Sequence, residues 1–187
     1  MTKVSIGFRG WRFEEHEVFE EDGSYRPLSE MSEDTRERIE RIPTLSDQPC
    51  DVCYLEDQAG ERDSRNEPTA VYGEPGAEVL ICDEHEPAFY YWFLDAGGDA
   101  YEGDPELQDA FHEWVAAGNR EPEHYEGPDH VETDPENIPA PEAGDLQGLR
   151  VELPEEEQAR LDLLEGHDPD DLDGDLDIDA EYPSADE

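Results

Sequence analysis

Val4, Ile6 and Phe8 share one parity of an alternating run, and Trp11 and Phe13 share the other. The alternation predicts an antiparallel segment at the N-terminus, with a bulge or tight turn where the face changes around Arg9-Gly10. Val18-Phe19 to Tyr25 predicts a second extended stretch turning at Asp22-Gly23. Residues 32–42 (SEDTRERIERI) switch to a helical pattern, with acids in the first turn, arginine in the last and Pro43 expected to end it. Its apolar stripe is narrow, Ile39 and Ile42. Residues 69–73 and 77–82 are β-rich and flank the turn tripeptide Glu74-Pro75-Gly76, which predicts a hairpin. Residues 83–96 carry Phe89, Tyr90, Trp92, Phe93 and Leu94 and predict a helix closed by Gly97-Gly98. The clearest helical signal is 105–117, where Leu107, Ala110, Phe111, Trp114 and Val115 fall on one face and Gly118 stops the pattern.

Composition places the end of this patterned region. Fifteen of the 17 aromatics lie in residues 1–120, which carry a net charge of −20; residues 121–187 carry −23 in about half the length. Aromatics bury the most area per residue, so the core is expected within 1–120. The elements there predict one small α+β domain. Residues 121–187, rich in proline and acid, read as a mostly disordered tail with a short helix at 154–165. The whole chain of 187 residues carries −43, from 55 acids against 12 bases of which one, Lys3, is lysine. At ordinary ionic strength that excess opposes compaction, and it argues against a nucleic-acid binder, which needs a basic patch. In molar salt the Debye length falls to about 3 Å and the objection weakens. Acid-rich, lysine-poor composition resembles that of an extreme halophile. No run approaches a membrane span and the first residues carry no signal-peptide apolar stretch, so the expectation is a cytoplasmic protein.

Cys50-Asp51-Val52-Cys53 and Cys82-Asp83-Glu84-His85 are the constellation that carries chemistry. A pair separated by two residues lets two side chains of one turn converge on an ion, and two such pairs complete a tetrahedral Zn²⁺ shell without an open position. All three cysteines of the chain are used. A thioredoxin-like pair at Cys50 and Cys53 would leave Cys82 and His85 unexplained. A nucleophilic couple of Cys82 and His85 would lack an orienting third group, and a catalytic zinc would need one ligand replaced by water. The stoichiometry favours a structural Zn²⁺.

Residues 49–97 resemble treble-clef and zinc-ribbon-like domains, and the run Leu80-Ile81-Cys82-Asp83-Glu84-His85 is similar to small zinc-finger proteins of the haloarchaeal type, mostly without assigned function. The resemblance implies a knuckle at Cys50 and Cys53, a hairpin at 69–82, and a helix whose start brings Cys82 and His85. A polar insertion at 56–68 departs from that pattern. A treble clef hosts many functions, so the resemblance specifies a metal and a local fold.

Arg9, Trp11 and Arg12 interleave charge with aromatics and are candidate contacts to single-stranded nucleic acid; a strand with inward aromatics and ion-paired arginine is the plainer use. Tyr90 to Phe93 can line a pocket or pack on Phe111 and Trp114. The expectation is a non-enzymatic zinc protein acting on a protein partner. A nucleic-acid-associated regulator and an enzyme with a pocket near Tyr90 to Phe93 are the alternatives.

Overall fold

The computed structural model describes residues 2–125 and 136–150. The alternating N-terminus forms three short strands, β1 (Lys3–Ile6), β2 (Arg9–Gly10) and β3 (Phe13–Glu14). Val4, Ile6, Phe8, Trp11 and Phe13 are all buried. The face changes where Gly7 and Gly10 take φ of 71° and 95°. Gly10 admits no side chain, because a Cβ would lie 2.0 Å from the Val71 carbonyl oxygen and the left-handed backbone strains any other residue. A single turn, α1 (Glu15–Val18), leads into the expected extended stretch, whose turn at Gly23 is closed by one antiparallel bridge, Phe19 to Tyr25.

Helix α2 (Glu33–Ser46) begins at Ser32, whose hydroxyl accepts from Thr35 N. Pro43 lies inside it rather than at its end. Proline in the last turn forfeits one backbone bond. Leu45 is buried beyond it, and Ser46 Oγ donates to the Ile42 carbonyl at 2.9 Å, so the final turn is retained. Helix α3 (Asp51–Ala59) starts at the first cysteine pair and stops at Gly60, φ 75°. Strands β4 (Ala70–Tyr72) and β5 (Val79–Ile81) form the antiparallel hairpin, with Val71 opposite Leu80. Helices α4 (Glu86–Asp95) and α5 (Leu107–Ala116) follow. The last described elements are β6 (Glu136–Ile138) and α6 (Ala143–Gly148).

The strands gather into two sheets, ordered β3-β1-β6 and β2-β4-β5. Within the second, β2 runs parallel to β4, pairing Arg9 with Ala70 and Gly10 with Val71. The hairpin serves two cores at once, because successive strand residues face opposite sides. Leu80 and Val71 pack with Val4, Ile6, Trp11, Ile39 and Ile42; Val79 and Ile81 pack with the cysteines, Phe89, Trp92 and Phe111. The second core is the one that positions the site.

Two expectations are corrected. The first cysteine pair is not a knuckle running into the hairpin but the N-terminus of a helix, which also covers part of the supposed 56–68 insertion. Asp51 in its first turn, Val52 buried against the core and Gly60 at its end make that helix, and the treble-clef pattern expected over 49–97 is not met. The packed chain also passes the boundary expected at residue 120. Strand β6 pairs in parallel with β1, Val4 opposite Glu136, and Leu146 of α6 is buried in the first core. These contributions come from aliphatic side chains, which a boundary drawn from aromatics overlooks. The rest of the acidic tail, with the helix expected at 154–165, lies outside the described residues. Leu146→Ala is expected to cost about 2–3 kcal/mol, read from the denaturant midpoint. A loss below about 0.5 kcal/mol, the range of surface substitutions, would show that α6 does not share the core.

Candidate metal centre

Three element ends meet at the site. Cys50 is the N-cap of α3, and Cys53 sits in the first turn of that helix. Cys82 follows β5 directly, and its carbonyl accepts from His85 N and Glu86 N, each at 3.0 Å, closing the turn that makes His85 the N-cap of α4. Both helices therefore aim their N-termini, the positive ends of their dipoles, at the thiols. Cys50 N donates to the Asn66 carbonyl at 2.9 Å, which anchors the loop between α3 and the hairpin.

The four ligand atoms lie within 4.8 Å of one another, and all four residues are buried. His85 Nδ1 is 3.6 Å from Cys50 Sγ, 3.5 Å from Cys53 Sγ and 3.4 Å from Cys82 Sγ. Cys53 Sγ and Cys82 Sγ stand 3.9 Å apart. A tetrahedron with ordinary Zn–S and Zn–N bond lengths places sulfur about 3.5 Å from nitrogen and about 3.8 Å from the next sulfur. The donor set therefore fits such an ion on its own dimensions. The cysteines are free thiols, and the sulfur separation is far beyond the ~2.05 Å of a disulfide.

Electrostatics agree. The hydrogen bond from Cys50, with further bonds from His85 and Asn66, holds the Cys82 thiol down at about 3. The same bond to Cys82, followed by burial, pushes the Cys50 thiol far up, and burial raises that of Cys53. The protein groups thus favour one thiolate. Three thiolates coexist there when a cation compensates them.

A second ring of contacts orients the first. Glu56 Oε2 stands 3.4 Å from the other His85 nitrogen, Nε2, where a carboxylate fixes the ring of a ligating histidine. Glu56 is itself held by Arg120 at 3.2 Å and Arg62 at 3.5 Å. Asn66 Nδ2 donates to Cys82 Sγ at 3.6 Å. The sequence carries a signal for Glu56 that motif spacing passes over: Cys53 and Glu56 are three apart on one helix, hence on one face. Glu56→Gln is expected to weaken metal binding by about 10-fold or more, measured by competition with a chromogenic chelator. Unchanged affinity would leave Glu56 with its arginine contacts alone.

The other candidates are placed differently. Arg9 donates to Asp83 and, at 2.8 Å, to Glu86, so it ties β2 to the start of α4. Trp11 is buried, and its indole N–H donates to the Gly73 carbonyl at 2.8 Å. Arg12 is exposed. The three do not share a free surface. Of the aromatic run, Phe89 and Trp92 enter the core against Phe111, Tyr91 packs on Trp114, and Tyr90 and Phe93 line a cavity. His112 lies beside Asp51, Nε2 to Oδ2 3.1 Å, and that carboxylate oxygen also accepts from Leu80 N. Among the described residues, no helix is long and apolar enough to cross a membrane.

A family model described as a family of unknown function (DUF8114) matches residues 1–186. No curated protein and no solved structure matches the chain.

Proposed function

The chain belongs to the DUF8114 family, a family of unknown function, and we propose that it is a non-enzymatic zinc protein in which Cys50, Cys53, Cys82 and His85 hold one structural Zn²⁺. The observation that carries the reading is the set of ligand separations, 3.4–3.6 Å from nitrogen to sulfur. Four protein ligands leave no position for a substrate or an activated water, which supports a staple over a catalyst. The staple joins α3, β5 and α4 within the second core. The remaining function is an interaction with a protein partner in the high-salt cytoplasm of a halophile; the single lysine among 55 acids supports that setting, as do reduced thiols at metal-ligand spacing.

Elemental analysis of protein purified in molar KCl without chelator is expected to give one zinc per chain. A folded, metal-free protein would sink the reading. Affinity purification at the same salt is expected to recover a protein partner in fixed ratio; recovery of nucleic acid in its place would favour a regulator.

A further inference from the structure

A cavity of about 520 Å³ opens between the hairpin, α2 and α4, lined by Trp11 and Val71 from the first core and by Tyr72, Phe89, Phe93 and Leu107 from the second. Its size falls within the range of small-molecule sites. Five aromatic rings wall it: Trp11, Tyr72, Phe89, Tyr90 and Phe93. Leu94, the most exposed large apolar side chain among the described residues, stands at its edge. The charged groups that line it are one arginine, Arg38, and two carboxylates, Glu74 and Glu102.

The charges decide what such a pocket accepts. The Arg38 guanidinium carbon lies 5.4 Å from the centroid of the Trp11 ring, and its nitrogens bond Glu74 at 2.8 Å and Asp34 at 3.0 Å. Two carboxylates already satisfy that arginine, so it offers little to an anion. The same arrangement shows how a cation is held in this cavity, over an aromatic face with a carboxylate beside it. Glu102 is exposed, and its carboxylate has no hydrogen bond or ion pair among the described residues. It gives the cavity a second negative charge without a matching cation. A metal ion is a poor match, because aromatic walls replace none of its hydration. An organic cation with its charge spread over alkyl groups is weakly hydrated and gains from the rings.

We propose that this cavity binds a small organic cation of the quaternary-ammonium class, its apolar body against Phe89, Tyr90 and Phe93 and its charge toward Glu102. The site is separate from the four metal ligands and does not rest on the identity of their ion. It gives the protein a small-molecule ligand in addition to any macromolecular partner.

The test is a calorimetric titration of the full-length protein with benzyltrimethylammonium in about 1 M KCl, where attraction to the acidic surface is screened. The neutral near-isostere 2-methyl-1-phenylpropan-2-ol and the anion phenylacetate serve as comparisons. The expected result is saturable 1:1 binding of the cation, about 10-fold or more tighter than the alcohol, with no binding of phenylacetate. Glu102→Gln, an exposed change that leaves the fold intact, is expected to weaken the cation about 3- to 10-fold and leave the alcohol unchanged. Phe93→Ala is expected to weaken both. Failure of the cation to saturate, equal affinity for cation and alcohol, or indifference of the cation to Glu102→Gln would each overturn the proposal.

Discussion

Cys82→Ser is expected to release the metal and to lower the melting temperature by about 10–20 °C. Structural zinc contributes on the order of 10 kcal/mol of apparent binding energy in small fingers. Losing one of four ligands forfeits roughly half of that, and a chain of this size shifts by about 2–4 °C per kcal/mol. The damage should be local. Cys82 joins the end of β5 to the start of α4, and its carbonyl closes the turn that presents His85. Amide exchange should therefore rise in α3, the end of β5 and α4. The core built on Val4, Ile6, Ile39 and Ile42 contains none of the ligands, and its amides should stay protected. Adding Cys53→Ser to Cys82→Ser should cost little more, because the ligands act as a unit. His85→Cys is the discriminating control, since a four-cysteine shell also satisfies zinc while a cysteine–histidine nucleophile would be destroyed. A Cys82→Ser protein that melts within about 2 °C of the parent would contradict the account.

Phe111→Ala is expected to cost about 3–5 kcal/mol without touching a ligand. Phe111 is fully buried, its ring centroid 5.3 Å from Phe89 and 5.1 Å from Trp92. With Leu107 and Val115 it closes the core over the metal side of the hairpin. Removing the ring leaves a cavity that two aromatic neighbours on one rigid helix cannot collapse to fill. The measurement is the denaturant midpoint at unchanged slope. Trp114→Ala, half-exposed on the same helix, should cost clearly less. A loss for Phe111→Ala below about 1 kcal/mol would mean that α5 is peripheral.

What the sequence made legible is what local spacing encodes. The five apolar positions of α5 repeat at helical period, and the hairpin is announced by its turn tripeptide. The two ligand pairs that the structure brings together use all three cysteines of the chain. What stayed hidden is non-local. The parallel pairings of β2 with β4 and of β1 with β6 join segments some 60 and 130 residues apart, through strands of two to four residues. Strands that short carry too little alternation to be read. The Arg9–Glu86 bond spans 77 positions and is likewise invisible locally. Helix α3 was concealed by its own chemistry, because a cysteine pair suggests a turn before it suggests a helix start. Pro43 misled in the opposite direction: burial of Leu45 outweighs one missing backbone bond.

The zinc site proposed above encloses a single ion between Cys50, Cys53, Cys82 and His85. X-ray absorption at the zinc edge, on protein purified without added metal or chelator, tests it most directly. One zinc per chain is expected, with three sulfur neighbours at about 2.3 Å and one nitrogen at about 2.0 Å. Absence of zinc, or a shell of oxygen and nitrogen without sulfur, would contradict it.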